Sequence, residues 1–277
     1  MSARAVWAII ARELARTLRQ RGRLLSALVR PLVWLLVIGG GVGTMMGEGA
    51  GAGGGGGGYR AFLAPGLLAM TLLFGAMLSA LSLVHDRESG VLRLLLAAPI
   101  AHAWIVIARI LSAAVVALAQ AGLLLLLLWP AGYVGAGWDP LVLLAGLLAT
   151  ALCAACIGLL VAVVVRSLEN FAVMMNFVIF PLFFLSGALY PLHGLPGWLR
   201  SAALANPFSY GVDLLKHAAP AAAAASGWQP DASVACDLGV LGGFIVVAAT
   251  VACLVFSSAA TIGALARLVS RGRGGPG

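Results

Sequence analysis

The sequence predicts an all-α polytopic membrane protein: six transmembrane helices, an N-terminal amphipathic interfacial helix, and re-entrant outer helices between spans five and six. Three observations predict it. Of 277 residues, 62% are hydrophobic and 9% charged, with a mean hydropathy of +1.06, whereas soluble domains carry about 25% charged residues. Six apolar runs approach the roughly 20 residues that a hydrocarbon core of about 30 Å requires. The basic residues between those runs sort to one side. The net charge of +8 therefore reads as a membrane-topology signal, and nucleic acid is not an expected partner.

Residues 1–25 form the first unit. Arginines at 4, 12, 16, 19, 21 and 23 leave no uninterrupted apolar core, so the stretch does not read as a signal peptide. Val6, Ile10, Leu14 and Leu18 recur every four residues beside Trp7, and Arg12, Arg16, Arg19 and Arg23 follow a similar spacing on another face. That pattern predicts an interfacial helix with its apolar side in lipid and its arginines toward anionic headgroups. A calmodulin-like or nucleic-acid ligand is the functional alternative.

Residues 26–266 carry the spans, expected at Ala27–Met46, Ala61–Val84, Trp104–Leu128, Leu141–Val165, Phe171–Leu189 and Leu238–Ala266. The first is the weakest, because it is Gly-rich at its end and holds Arg30 near its start, where the side chain can snorkel. With both termini on one side, that side holds fourteen of the 17 basic residues, and only Arg60, Arg200 and Lys216 fall opposite. The positive-inside bias makes the termini and the tail 267–277 cytoplasmic; a bacterial inner membrane is the expected location.

The charged loop at 84–104 interrupts two long apolar runs. It reads V-H-D-R-E-S-G-V-L-R-L-L-L-A-A-P-I-A-H-A-W. Asp86, Arg87 and Glu88 lead into Gly90. Val91, Leu94 and Leu95 share one side of a turn, and Pro99 stops the helix. A short amphipathic helix on the membrane surface offers its charged face to water. It is either a solvated connector or an element that a soluble partner pushes on.

The outer side differs. Gly47–Gly58 is almost all glycine and predicts a flexible tether with no side chains for specific chemistry. In F-P-L-F-F-L-S-G-A-L-Y-P-L-H-G-L-P-G-W-L, from Phe180 to Leu199, Pro181, Gly187, Pro191 and Gly194-Leu195-Pro196-Gly197 are expected to break the helix repeatedly. Irregular backbone at membrane depth must be buried in protein or line a wet cavity. Across 190–237 the chain is therefore expected to leave and re-enter the outer leaflet. An amphipathic piece follows at Phe208–Ala218, with Tyr210, Asp213 and Lys216 polar, and an aromatic belt of Trp198, Phe208 and Tyr210 is the plainer alternative.

Several chemistries are missing. No G-x-x-x-x-G-K-[ST] occurs, and Lys216 is the sole lysine, so the chain is not expected to hydrolyse ATP itself. Cys153-Ala-Ala-Cys156 has redox or metal spacing, but it sits mid-span among apolar residues, where packing accounts for it. His85, His102, His193 and His217 fall at interfaces, and no metal set is visible. Away from their ends the six runs hold no Asp, Glu, Lys, Arg or His, which argues against an ion-coupled carrier.

The stretches F-L-A-P-G-L at Phe62–Leu67, H-D-R-E-S-G-V-L-R-L-L-L-A-A-P-I at His85–Ile100, the outer stretch above and A-N-P-F-S-Y at Ala205–Tyr210 together resemble the permease subunit of ABC-2-type transporters, over roughly Arg4 to Ala266. The resemblance implies a six-helix permease that pairs with a second permease copy, as homodimer or heterodimer. Each permease binds a separate ABC ATPase subunit, two copies in all, which holds the ATP and Mg. It maps Asp86, Arg87, Glu88, Gly90 and Pro99 onto the ATPase-coupling element, and the inner turn with Arg166 and Glu169 onto a second coupling site. The glycine run and the short first span depart from that pattern.

The resemblance implies export driven by ATP in the partner, and the absence of any charged site within the spans fits a hydrophobic, amphiphilic or lipid-linked substrate. The path and outer gate are expected at Met174, Met175, Asn176, Phe180, Pro181, Gly187, Tyr190 and Pro191, where Met and Phe offer adaptable apolar surface. The alternatives are an ATP-independent secondary transporter or channel, marked by a buried ionisable residue, and a membrane scaffold docking a partner through the Asp86 loop.

Overall fold

The computed structural model describes residues 7, 8, 10–15, 21–39, 57–92, 101–134, 137–165, 167–220 and 230–272. After a helical stretch over 10–15, the elements are α1 (Arg21–Trp34) running into a π-helical turn (Leu35–Gly39), α2 (Gly57–Glu88), α3 (His102–Leu128), α4 (Pro140–Val164) and α5 (Leu168–Phe184). A 3₁₀ turn (Leu192–Gly194), α6 (Gly197–Ala205), α7 (Pro207–His217) and α8 (Val234–Gly272) complete the order. No strand occurs among the described residues. Four helices, α2, α3, α4 and α8, are long and apolar enough to cross a membrane. At 17 residues α5 falls short of that length.

The sequence caps these helices locally. Asp139 accepts from the N–H groups of Leu141 and Val142 at 2.9 and 3.2 Å, with Pro140 pre-set at the first helical position of α4. Ser167 accepts from Asn170 N–H at the start of α5. Asn206 accepts from Phe208 N–H at 3.0 Å, and Pro207 opens α7.

Helix α2 is the axis of the bundle. Leu63 to Met77 is buried without a break, and α2 packs along α3 and α4. Small residues set the spacing: a methyl at Gly158 on α4 would lie 3.1 Å from Ala80 Cβ, and one at Gly75 would lie 3.4 Å from Ala117 Cβ on α3. Without water to drive apolar burial, such close backbone approach supplies the dispersion contacts that hold helices together in lipid. Gly66, in the F-L-A-P-G-L stretch, faces the main chain of Ala188, and any side chain there would run into that carbonyl. On α8, Val246, Val247 and Leu254 are exposed, as befits a peripheral helix.

Several sequence expectations shift. Helix α2 runs from Gly57 to Glu88, so it starts inside the glycine run and carries Asp86, Arg87 and Glu88 in its last turn. They are thus not part of the loop. Helix α5 continues through Pro181 to Phe184, because a proline forfeits only its own N–H bond when its neighbours hold the helix. The break comes at Leu185–Gly187, with Gly187 at φ 74°. Phe208 is not part of an aromatic belt, since it is completely buried. Helix α7 is enclosed as well. Phe208, Ser209 and Gly211 to Lys216 are all buried, and α7 packs on α4, α8 and α2. The reason is steric: Gly211 lets α7 close on Thr150 of α4, and Gly146 of α4 receives Leu215.

Candidate functional site

Two polar clusters lie at opposite ends of α4, about 37 Å apart for 25 residues at 1.5 Å each. The first gathers at the last turn of α2. Asp86 is buried and accepts from Arg109 of α3, whose other terminal nitrogen donates to Ser82 Oγ at 3.1 Å. Arg12 of the N-terminal helical stretch reaches the same carboxylate oxygen at 3.1 Å, and its side chain stays half exposed. Arg87 donates to the carbonyls of Val165 and Val163, at 2.6 and 3.2 Å, and so satisfies the open C-terminal end of α4. Glu88 accepts from Leu168 N–H at 2.9 Å, and thereby caps α5. Three consecutive side chains thus tie α2 to the N-terminal stretch, to α3, to α4 and to α5.

Around them, Gly90 turns the chain at φ 77°, where a Cβ would be strained. Glu169 is exposed in the first turn of α5, where its charge complements the helix N-terminus. Pro99 and Arg166 lie outside the described residues. Arg12 was expected to face lipid headgroups and instead pairs with Asp86. Arg30 lies with its guanidinium 3.9 Å from the Phe74 ring centroid, in a cation–π contact with α2.

The second cluster sits where α5 ends. Asn206 donates to Leu182 O at 2.8 Å, and Ser209 Oγ donates to Ala203 O at 2.7 Å and lies 3.3 Å from Leu185 O. Tyr210 reaches Leu204 O at 3.0 Å. These bonds fold the irregular stretch against α7. Lys216, 4% exposed, donates to the carbonyl of Gly187. Burial pushes its ammonium down to about 7, against the attraction of Asp213 and Asp231. Burial likewise pushes Asp213 up, opposed by the Ala232 N–H at 3.1 Å. Asp237, at the start of α8, is fully buried, with His217 Nδ1 3.8 Å away. A small pocket is lined here by Ser186, Gly187, Tyr210, Asp213, Lys216 and Asp231.

The expected path residues divide. On α5, Val173, Met174, Phe177, Phe180 and Phe184 are exposed at helical spacing, with Asn176 and Pro181 also outside. Met175 is half-buried against the core. Asn176 donates to Ala172 O at 3.1 Å, within its own helix. Gly187 is buried, while Tyr190 and Pro191 are half-buried, with the Tyr190 hydroxyl on Phe184 O.

A sequence model of the family described as ABC-2 type transporter matches residues 4–218. The chain belongs to the ABC-2 type transporter family. The chain is also 32% identical over 202 residues to nodulation protein J of Rhizobium leguminosarum bv. trifolii, covering 70% of this chain and 72% of that protein. It is 27% identical over 214 residues to the putative transport permease ycf38 of Pyropia yezoensis, with 74% and 70% covered. A probable multidrug ABC transporter permease, YbhR of Escherichia coli strain K12, is 28% identical over 160 residues, 57% of this chain and 43% of that one.

As an ABC-2 family protein, the chain has a structural role for three of the four stretches that carried the resemblance. F-L-A-P-G-L sets the approach of α2 to the irregular stretch through Gly66. H-D-R-E-S-G supplies the ties at the end of α2. A-N-P-F-S-Y folds α7 back against the end of α5. Sequence reasoning missed Arg109 and Ser82 as partners of Asp86, and the burial of Lys216 and Asp237. Arg109 had a signal, as an arginine five residues inside an apolar run that needs a counter-charge.

Proposed function

We propose that this ABC-2 family protein is the six-span membrane subunit of an ATP-binding-cassette exporter. It pairs with a second permease copy and is driven by a separate ATPase that supplies ATP hydrolysis in two copies. In this reading α1 with its π-helical turn and α5 complete the six spans, and α6 and α7 are the re-entrant outer pieces. Both termini and the Asp86 end then face the cytoplasm of a bacterial cell, as fourteen of 17 basic residues favour.

The single observation that carries the reading is the Asp86-Arg87-Glu88 turn, which binds four other parts of the chain at once. A push on the adjoining loop by an ATPase reaches the N-terminus of α5 through Glu88 and the C-terminus of α4 through Arg87, so the bundle responds as rigid bodies. Glu169, exposed beside the capped end of α5, belongs to the second coupling surface, with Arg166. The exposed apolar face of α5, with Met174, Phe177 and Phe180, suits the seam between two copies and the passage of a hydrophobic, amphiphilic or lipid-linked substrate. The Gly187–Pro191 stretch stands at its outer end as the gate.

A second reading, an ATP-independent transporter, draws on the buried ionisable residues Asp86, Arg109, Asp213, Lys216 and Asp237. They lie at the two ends of the bundle, however, and no buried Asp, Glu, Lys, Arg or His lies midway along α2, α3 or α4, which favours the ATP-driven reading. Reconstitution with the partner ATPase decides between them: export that requires ATP hydrolysis supports the exporter, and transport driven by an ion gradient without ATP refutes it.

A further inference from the structure

The cluster at the start of α8 holds charge that the transport reading does not use. Asp213 of α7, Asp231 and Asp237 of α8 bring three carboxylates together, against the cations of Lys216 and Arg200, the latter 4.0 Å from Asp231. Asp237 is 0% accessible, and among the described residues neither of its oxygens accepts a hydrogen bond. Burying a carboxylate without donors carries a large desolvation penalty, so such a site calls for a cation or a proton.

We propose that Asp213, His217 and Asp237 form a binding site for one divalent transition-metal ion of the zinc class, clamping α7 to α8. One ligand atom from each of the three lies within 4.8 Å of the others. Binding requires these atoms to close from that separation onto a common centre at the roughly 2.0–2.2 Å that zinc takes with imidazole nitrogen and carboxylate oxygen. Asp213 accepts from Ala232 N–H at 3.1 Å and keeps lone pairs for a metal. His217 sits one helical turn after Asp213 on α7, so the two side chains share a face. Its Nδ1 lies 3.0 Å from Asp213 O and 3.8 Å from Asp237 Oδ2. The 3.0 Å contact is a hydrogen bond only if Nδ1 carries the proton. Ligation through that nitrogen requires the tautomer with its proton on Nε2, and the imidazolium formed at acid pH cannot ligate, so binding weakens there. Lys216, the neighbouring cation, is directed to the Gly187 carbonyl. Two carboxylates and an imidazole favour zinc over calcium, which takes six to eight oxygens.

The reading is independent of transport. Asp237 lies beyond the family-matched residues 4–218, and the site's failure would leave the exporter reading intact. The test uses the full-length chain, purified in detergent through a non-histidine tag, stripped with chelator and titrated with zinc chloride or calcium chloride. Bound metal is counted by elemental analysis, and the melting temperature is followed. One zinc per chain, a higher melting temperature with zinc and no response to calcium are expected. Asp237→Asn, a neutral isostere, and His217→Gln should each lose the zinc and the shift, while His193→Gln, at an exposed histidine, keeps both. If the natural chain takes up no zinc, or if folded Asp237→Asn retains it at full stoichiometry, the proposal is overturned, and a proton neutralises the buried carboxylate instead.

Discussion

The Glu88 carboxylate, at the last residue of α2, accepts the backbone N–H of Leu168 at 2.9 Å and so caps α5 from eighty residues away in sequence. A helix cap made from another helix passes displacement directly. When the end of α2 moves, the first turn of α5 follows or loses its cap.

Glu88→Ala is therefore expected to keep the fold, since a lost cap removes about 1 kcal/mol, and to lower transport per ATP hydrolysed. Glu88→Lys should do so more severely, because it places a cation against a helix N-terminus. The check is the ratio of transport to ATPase rate in proteoliposomes. A Glu88→Lys protein that transports normally would remove Glu88 from the coupling route.

Asp86 is held from both sides, unequally. Asp86→Ala strands the buried guanidinium of Arg109 and should destabilise the chain by about 3–5 kcal/mol, whereas Arg12→Ala removes a half-exposed partner and should cost about 0–1 kcal/mol. Melting in detergent separates the two. Equal losses would show that Arg12, not Arg109, carries the pair.

At Gly66 a methyl group meets the Ala188 main chain, which cannot rotate away, whereas at Gly122 of α3 nothing lies within 4 Å. Gly66→Ala should yield little folded protein. Gly122→Ala should be neutral or stabilising by up to about 1 kcal/mol, the helix-propensity difference. Yield and melting temperature of the two variants decide it.

Lys216 gives a pH signature. Its pKa falls on folding from the ordinary 10.5 to about 7, so between these values the unfolded chain binds more protons, and stability rises with pH across that window. Asp213 is shifted up, so its contribution is lost as pH rises from the ordinary carboxylate range through its own pKa. Melting of the natural chain minus that of Lys216→Met should therefore increase from pH 7 to 10. A flat difference would place Lys216 in contact with water.

The class of the fold was legible because hydropathy and the sorting of arginines are one-dimensional properties. Four spanning helices follow from them directly, and caps at Asp139, Ser167 and Asn206 are readable from residue type. What stayed hidden depends on distant pairing. Asp86 reads as a loop charge until Arg109, 23 residues on, turns back against it. Phe208, Asp213 and Lys216 have the spacing of a surface helix, and only the small residues Gly146 and Gly211 reveal that α7 inserts into the bundle. Of the path residues, those on α5 other than Met175 are exposed, and Gly187 is instead a buried partner of Lys216. The periodicity of a single helix cannot say which of its faces meets protein.

A permease driven by a separate motor should hold that motor when the full chain is purified from its native membrane in mild detergent and the eluate is assayed for a bound P-loop ATPase. The account predicts a stoichiometric ATPase whose hydrolysis drives export after reconstitution, and whose coupling to export falls in Glu88→Lys. An eluate with no ATPase, from a chain that still moves substrate, would contradict it.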